Sequence, residues 1–274
     1  MMLAAFLLYF IGSADLIRSR CSGWIATAII AVGWAVGAVV AVGGLSLPLV
    51  WIMAMIAVAI AWLATTTATE RIRPSFGLYP ASGLAIVVLV TLAFDGTAAP
   101  VSGFLVDWYD STPTAAVRAV PLAALVLGAA LILFLGESSN IIVREALSRR
   151  TRQSAVAPQA VATQSESSNR WKRRASLRTA RGVMPPTGSE VLVEDLKGGR
   201  SIGVIERILI VALTLSGAYV IAGAVIAAKG IVRFPEISKD GSSGSKAEYF
   251  LVGSLVSWAL ALGAVGLLLV SAQV

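Results

Sequence analysis

Seven stretches of mostly apolar residues, 1–14, 24–42, 49–64, 81–94, 119–136, 208–228 and 249–270, dominate the chain. A helix needs roughly 20 such residues to cross about 30 Å of hydrocarbon. In hydrocarbon, only helices and closed barrels satisfy their own backbone N–H and C=O groups. Charged residues make up 14% of the 274, and the mean hydropathy is +0.83, so water is not the main solvent. The pattern predicts an all-α polytopic membrane protein of about 6–7 transmembrane helices with one long basic cytoplasmic loop. The range reflects the short first and fourth runs, each of which can be a tilted span or a segment that enters without crossing. No basic stretch precedes the first run and no small-residue cleavage site follows it, so it reads as a retained helix.

Lys and Arg in short loops set the orientation. Arg18 and Arg20 follow the first run, Arg71 and Arg73 the third, and the long hydrophilic segment 137–203 the fifth. These three positions should share one side, the cytoplasm. The segments 43–48, without charge, and 95–118, with Asp95, Asp107 and Asp110 against Arg118, belong on the other. A straight sixth span then places 229–248 outside, although it holds Lys229, Arg233, Lys239 and Lys246. The alternative is a sixth run that bends at Gly217 or Gly223 and returns to the side it left.

Three parts follow: N-terminal membrane helices over 1–136, a cytoplasmic segment over 137–203, and C-terminal membrane helices over 204–274. Within the cytoplasmic segment, 137–152 reads as an amphipathic helix continuing the fifth run. The Ser-, Ala- and Gln-rich stretch 153–169 reads as linker, and 170–181 as a basic tract. A turn at Pro185, Pro186 and Gly188 precedes a weakly alternating stretch at 190–196.

With no histidine and Cys21 as the single cysteine, the chain has no intramolecular disulfide, no His-ligated or multi-Cys zinc site, and no Ser-His or Cys-His nucleophile pair. No metal and no cofactor is expected. Run interiors are almost free of charge, Asp15 being the main exception, which argues against secondary transport. Gly33/Gly37, Gly223/Ala227 and Ala259/Gly263 have the small-xxx-small spacing that lets helix backbones approach.

Three clusters could meet an anion. Helical spacing puts Glu137, Asn140 and Arg144 on one face; the plainer reading is an arginine that snorkels and an asparagine that caps or bridges helices. Arg200, Glu206 and Arg207 sit at the mouth of the sixth run behind Gly198 and Gly199, where a helix N-terminus favours phosphate or carboxylate. The P-loop order is absent, and Glu206 can equally pair with Arg144 or Arg200. Lys229 and Arg233, one helical turn apart, precede Pro235, with Glu248 and Tyr249 beyond a Gly/Ser-rich link. Arg207 and Lys229 are 22 residues apart, about 33 Å along a straight helix. The clusters can therefore form one site only if that helix breaks.

In order and spacing, Gly199-Arg200-x-x-Gly203-x-x-Glu206-Arg207, Ala228-Lys229 with Arg233-Phe234, and Glu248-Tyr249-Phe250-Leu251-x-Gly253-Ser254-x-x-Ser257 resemble the C-terminal signature of the DUF3307 family. These are bacterial integral membrane proteins of unknown function. The resemblance covers roughly the C-terminal third, with Asn140 and Arg144 as a further match, and it implies a bacterial membrane location but no reaction.

The tract Arg170, Lys172, Arg173, Arg174 and Arg178, with Trp171 among them, holds much of the +7 net charge. Next to a bilayer each such residue is attracted to anionic headgroups by about 1 kcal/mol. Nucleic acid is the lesser expectation, since no recognition element accompanies the charge. The expected function is a noncatalytic bacterial inner-membrane protein that binds anionic lipid headgroups at its cytoplasmic rim and packs with a membrane partner or as a homo-oligomer. The alternative is an enzyme acting on a phosphate-bearing lipid, with Asn140, Arg144, Arg200 and Arg207 cradling phosphate and Glu206 as acid or base.

Overall fold

A computed structural model describes residues 1–66, 78–95, 101–156, 199–238 and 245–273. The described residues are helical, with no strand among them. The helices are α1 (Met2–Arg20), α2 (Gly23–Val39), α3 (Leu49–Thr65), α4 (Tyr79–Asp95), α5 (Phe104–Ser111), α6 (Ala115–Arg118), α7 (Leu122–Leu133), α8 (Ser139–Val156), α9 (Gly199–Leu215), α10 (Tyr219–Ser238) and α11 (Ser245–Gln273). π-helical turns continue α2 over Val40–Gly44 and join α7 to α8 over Phe134–Ser138.

Four helices are long and apolar enough to cross a membrane: Met2–Arg20, Gly23–Gly44, Leu122–Leu147 and Ala247–Gln273. Leu49–Thr65, Tyr79–Phe94 and Tyr219–Val232 are shorter apolar helices. Large apolar side chains such as Trp24, Val32, Val50, Ile60, Ile86 and Val220 point outward, a surface suited to lipid and not to water.

The first run is the hub of the bundle. α1 is apolar on all sides, the pattern of a helix surrounded by others, and it packs against α2, α3, α4 and α7. Lipid is as apolar as leucine, so close packing and hydrogen bonds must hold these helices together. Gly12 provides the closest approach: a Cβ there would lie 2.7 Å from the Phe134 nitrogen and 2.8 Å from the Leu133 carbonyl carbon. Against α2, the Tyr9 hydroxyl donates to the Gly33 carbonyl at 3.0 Å, and the Trp34 indole N–H to the Phe10 carbonyl at 2.9 Å.

Of the three small-residue pairs, only the first meets a helix. A Cβ on Gly37 would lie 2.5 Å from the Tyr9 ring, whereas one on Gly33, Gly223 or Gly263 would meet nothing within 4 Å.

The loops sort to two ends. At one, Gly103 (φ +130°) packs on the Gly43 and Gly44 backbone, and the Ser46 hydroxyl donates to the Ser102 carbonyl at 2.7 Å. This joins the two loops expected on a common face. At the other, the Arg18 guanidinium donates to the Thr66 carbonyl at 2.9 Å and hydroxyl at 2.7 Å, while Asp15 meets Ser138. The ends of α1, α3 and α7 therefore lie together, as the distribution of Arg required.

The sixth run is not a straight span. α9 ends at Leu215, Gly217 takes φ +77°, a conformation glycine accepts without strain, and α10 starts at Tyr219 and folds back along α9. This is the Gly217 alternative. It overturns the straight helix, because Lys229 touches Glu206 instead of lying some 30 Å away. The fifth run continues as helix through the π-turn and α8, but in α8 apolar and polar residues are not separated onto opposite faces, unlike the amphipathic helix expected over 137–152. The linker, the basic tract Arg170, Lys172, Arg173, Arg174 and Arg178, and the 185–196 segment lie outside the described residues.

Candidate functional site

The π-turn of Phe134–Ser138 organises two buried polar clusters. A π-turn bonds each carbonyl one residue further along than an α-helix does, so carbonyls at its edges can face a neighbour. Arg207 of α9 uses them. Its Nε and Nη2 donate to the Leu135 carbonyl at 3.1 and 3.0 Å, and Nη2 also reaches the Gly136 carbonyl at 3.3 Å and Asn140 Oδ1 at 2.6 Å. Nη1 donates to the Ser257 hydroxyl of α11 at 3.3 Å. The side chain is 2% exposed, so α7, α8, α9 and α11 are joined at one guanidinium.

The preceding residue faces the hairpin. Glu206 Oε2 lies 2.5 Å from the Lys229 Nζ of α10, and Oε1 accepts from the Trp258 indole N–H at 3.1 Å. Its predicted partners were Arg144 or Arg200; its partner is Lys229, because the break at Gly217 folds that residue back. Asn140, Glu206, Arg207 and Lys229, from all three sequence clusters, are thus brought together. Glu248, near the start of α11, lies ten residues before Trp258 and is exposed. Arg144 is two residues beyond Ile142 on α8, close enough to repel the Arg18 guanidinium. Arg200 and Arg233 lie on α9 and α10, and the placement of their side chains is outside the described residues.

The second cluster was not assembled from the sequence, which noted Asp15 only as a charge inside a run. Asp15 is fully buried. Arg18, one turn later, places Nη2 2.6 Å from Oδ1, and the Trp62 indole N–H donates to Oδ2 at 3.0 Å. The Ser138 hydroxyl faces the same carboxylate. The signal was present as Asp15-x-x-Arg18, the i, i+3 spacing that stacks opposite charges on one helix face. In both clusters a carboxylate takes one cation and one indole N–H, so its charge is neutralised while its second oxygen stays bonded.

This arrangement limits the chemistry. The Lys229 and Trp258 contacts to Glu206 stabilise its ionised form and disfavour taking a substrate proton, and the Arg207 donors are already directed at protein acceptors. Among the described residues, no three His, Cys, Asp or Glu side chains group so as to hold a metal ion. No family model, curated protein or solved structure matches the chain.

Proposed function

We propose that this chain is a noncatalytic multi-pass protein of a bacterial cytoplasmic membrane that holds anionic lipid headgroups at its basic rim and packs with membrane partners. The observation that carries the reading is Glu206: the carboxylate proposed for acid–base chemistry has each oxygen tied to another helix, by Lys229 at 2.5 Å and Trp258 at 3.1 Å. Polar groups used this way tie helices together in lipid, where packing and hydrogen bonds replace the hydrophobic effect. The rim adds the charge: Arg144 in the first part of α8, then the tract Arg170 to Arg178.

On this reading the span number is six: α1, α2, α3, α4, the α7–α8 helix and α11 cross, while α9 and α10 form a hairpin entering from the basic, cytoplasmic side. The DUF3307 resemblance is part of the proposal. Its motif residues Glu206, Arg207, Lys229 and Ser257 are the ones that meet here, which supports a shared C-terminal unit.

Two measurements test the reading. Native mass spectrometry of the full chain should show phosphatidylglycerol retained over phosphatidylcholine. Replacing Arg170, Lys172, Arg173, Arg174 and Arg178 with glutamine should remove the preference; no preference in the parent chain would sink the proposal. In a Cys21→Ser background, Ser176→Cys and Ser243→Cys should both resist a membrane-impermeant thiol reagent in intact cells. Labelling of the second alone would refute the hairpin topology. A lipid-modifying enzyme would instead lose its turnover in Glu206→Gln while assembly and lipid retention persisted.

A further inference from the structure

A cavity of about 320 Å³ lies between α4, α7 and α11. Its walls are two helical stripes, Ala81 to Leu89 on α4 and Ala259 to Leu267 on α11, each about 12 Å long at 1.5 Å per residue. Its floor runs along the α7–α8 helix from Leu131 to Ile142, about 16 Å. All lining residues are apolar or glycine.

Five of the ten wall residues, Ala81, Ala85, Ala259, Gly263 and Ala264, are alanine or glycine, which leaves room between the larger ones. Ala259 and Gly263 have the spacing of a helix-packing motif, yet a Cβ on Gly263 would meet no atom within 4 Å. Ala85 and Leu89 are exposed, so the slot opens sideways toward lipid. Lining atoms facing a void lose dispersion contacts that a filler would restore.

Dimensions select the filler. Spread along the 16 Å floor, that volume leaves the centre of a water-sized sphere a path roughly 5 Å wide, which with the sphere's own radius on each side is about 8 Å between lining atoms, whereas a helix with side chains needs about 10–12 Å. A helix from a second copy is therefore too wide. The floor length equals about half of the 30 Å hydrocarbon thickness, which is one leaflet. The Ile142 end lies at the basic end of the bundle, two residues before Arg144.

We propose that the α4/α7/α11 slot binds one acyl chain of an anionic lipid from the leaflet at the basic end, tail toward Leu131 and Leu267, headgroup level with Arg144. The headgroup half rests on the lipid-binding reading above; the tail half rests on the cavity alone.

The test uses the full chain in nanodiscs, with phosphatidylglycerol or phosphatidylcholine carrying a diazirine at the end of one acyl chain. Adducts are mapped by peptide mass spectrometry. Slot peptides containing 85–89 and 263–267 should carry at least about tenfold more adduct than the lipid-facing 32–36 peptide of α2, a preference of about 1.4 kcal/mol. Gly263→Phe and Ala85→Leu, which fill the slot from opposite walls, should each abolish that excess without changing α2 labelling. If Gly263→Phe does not assemble, Ala85→Leu alone decides.

Equal labelling of slot and α2, or an excess that survives filling, overturns the slot. An excess that is the same for both lipids upholds the slot and overturns the anionic headgroup.

Discussion

Two arginines pack beside the same π-turn, Arg207 buried and Arg18 mostly so, and they are held in different ways. Arg18 takes a carboxylate from its own helix, three residues back, and donates from its Nη atoms to the end of α3. The hydrogen bonds of Arg207 run to carbonyls, an amide and a hydroxyl contributed by elements 67 and more residues upstream and 50 downstream. A charge within a membrane bundle can thus be neutralised locally by an opposite charge, or held by neutral dipoles that only the assembled fold presents. The two solutions should fail differently when a partner is removed.

The largest expected effect comes from stranding a charge. Asp15→Ala leaves the Arg18 guanidinium without its carboxylate and should cost about 3–5 kcal/mol in reversible unfolding in detergent. Adding Arg18→Leu should recover most of that loss in a double-mutant cycle; no recovery would show that Arg18 is held mainly by Thr66. In Arg207→Leu the lost hydrogen-bond partners are neutral, and although Glu206 and Glu137 attract the guanidinium, Glu206 keeps Lys229 as its cation. This substitution should cost less, about 1–3 kcal/mol, mostly for the Leu135 and Gly136 carbonyls left unpaired. If Arg207→Leu proved more damaging than Asp15→Ala, the contrast between the sites would collapse. Asn140→Ala removes one acceptor from Arg207 and should cost about 1 kcal/mol in the same measurement. Lys229→Gln should cost about as little, about 1 kcal/mol, because the amide can still donate to Glu206, Arg207 still acts on the same carboxylate, and the 28% exposure of Lys229 already screens the pair.

The same contrast explains what could be read from the sequence. Features encoded locally were legible: apolar runs, the sharing of one end by Arg18 and the fifth run, the helix over 137–152, and Gly217 as a break point. The Asp15–Arg18 pair was visible as a spacing, but its burial was not, because burial follows from α1 becoming the central helix. That position depends on Gly12 meeting the α7 backbone, which one sequence does not reveal. The π-turn was illegible, since Phe134-Leu135-Gly136-Glu137-Ser138 reads as an ordinary helix continuation. Small-xxx-small spacing misled at Ala259/Gly263, because it records room beside a helix and not what fills it. Both tryptophans that cap the carboxylates, Trp62 and Trp258, looked like plain apolar residues; their indole N–H matters only once an acidic group is buried opposite.

The clamp on Arg207 also imposes an order on biogenesis. Its acceptors lie on the π-turn and α8, made earlier, and on α11, made later. While α9 emerges from the ribosome, Ser257 does not yet exist, and a guanidinium placed in bare hydrocarbon would cost several kcal/mol. Four of the five Arg207 hydrogen bonds, to Leu135, Gly136 and Asn140, need only residues already made, so the hairpin has a seat on the π-turn and α8 as it forms, and the tie to Ser257 is added when α11 inserts.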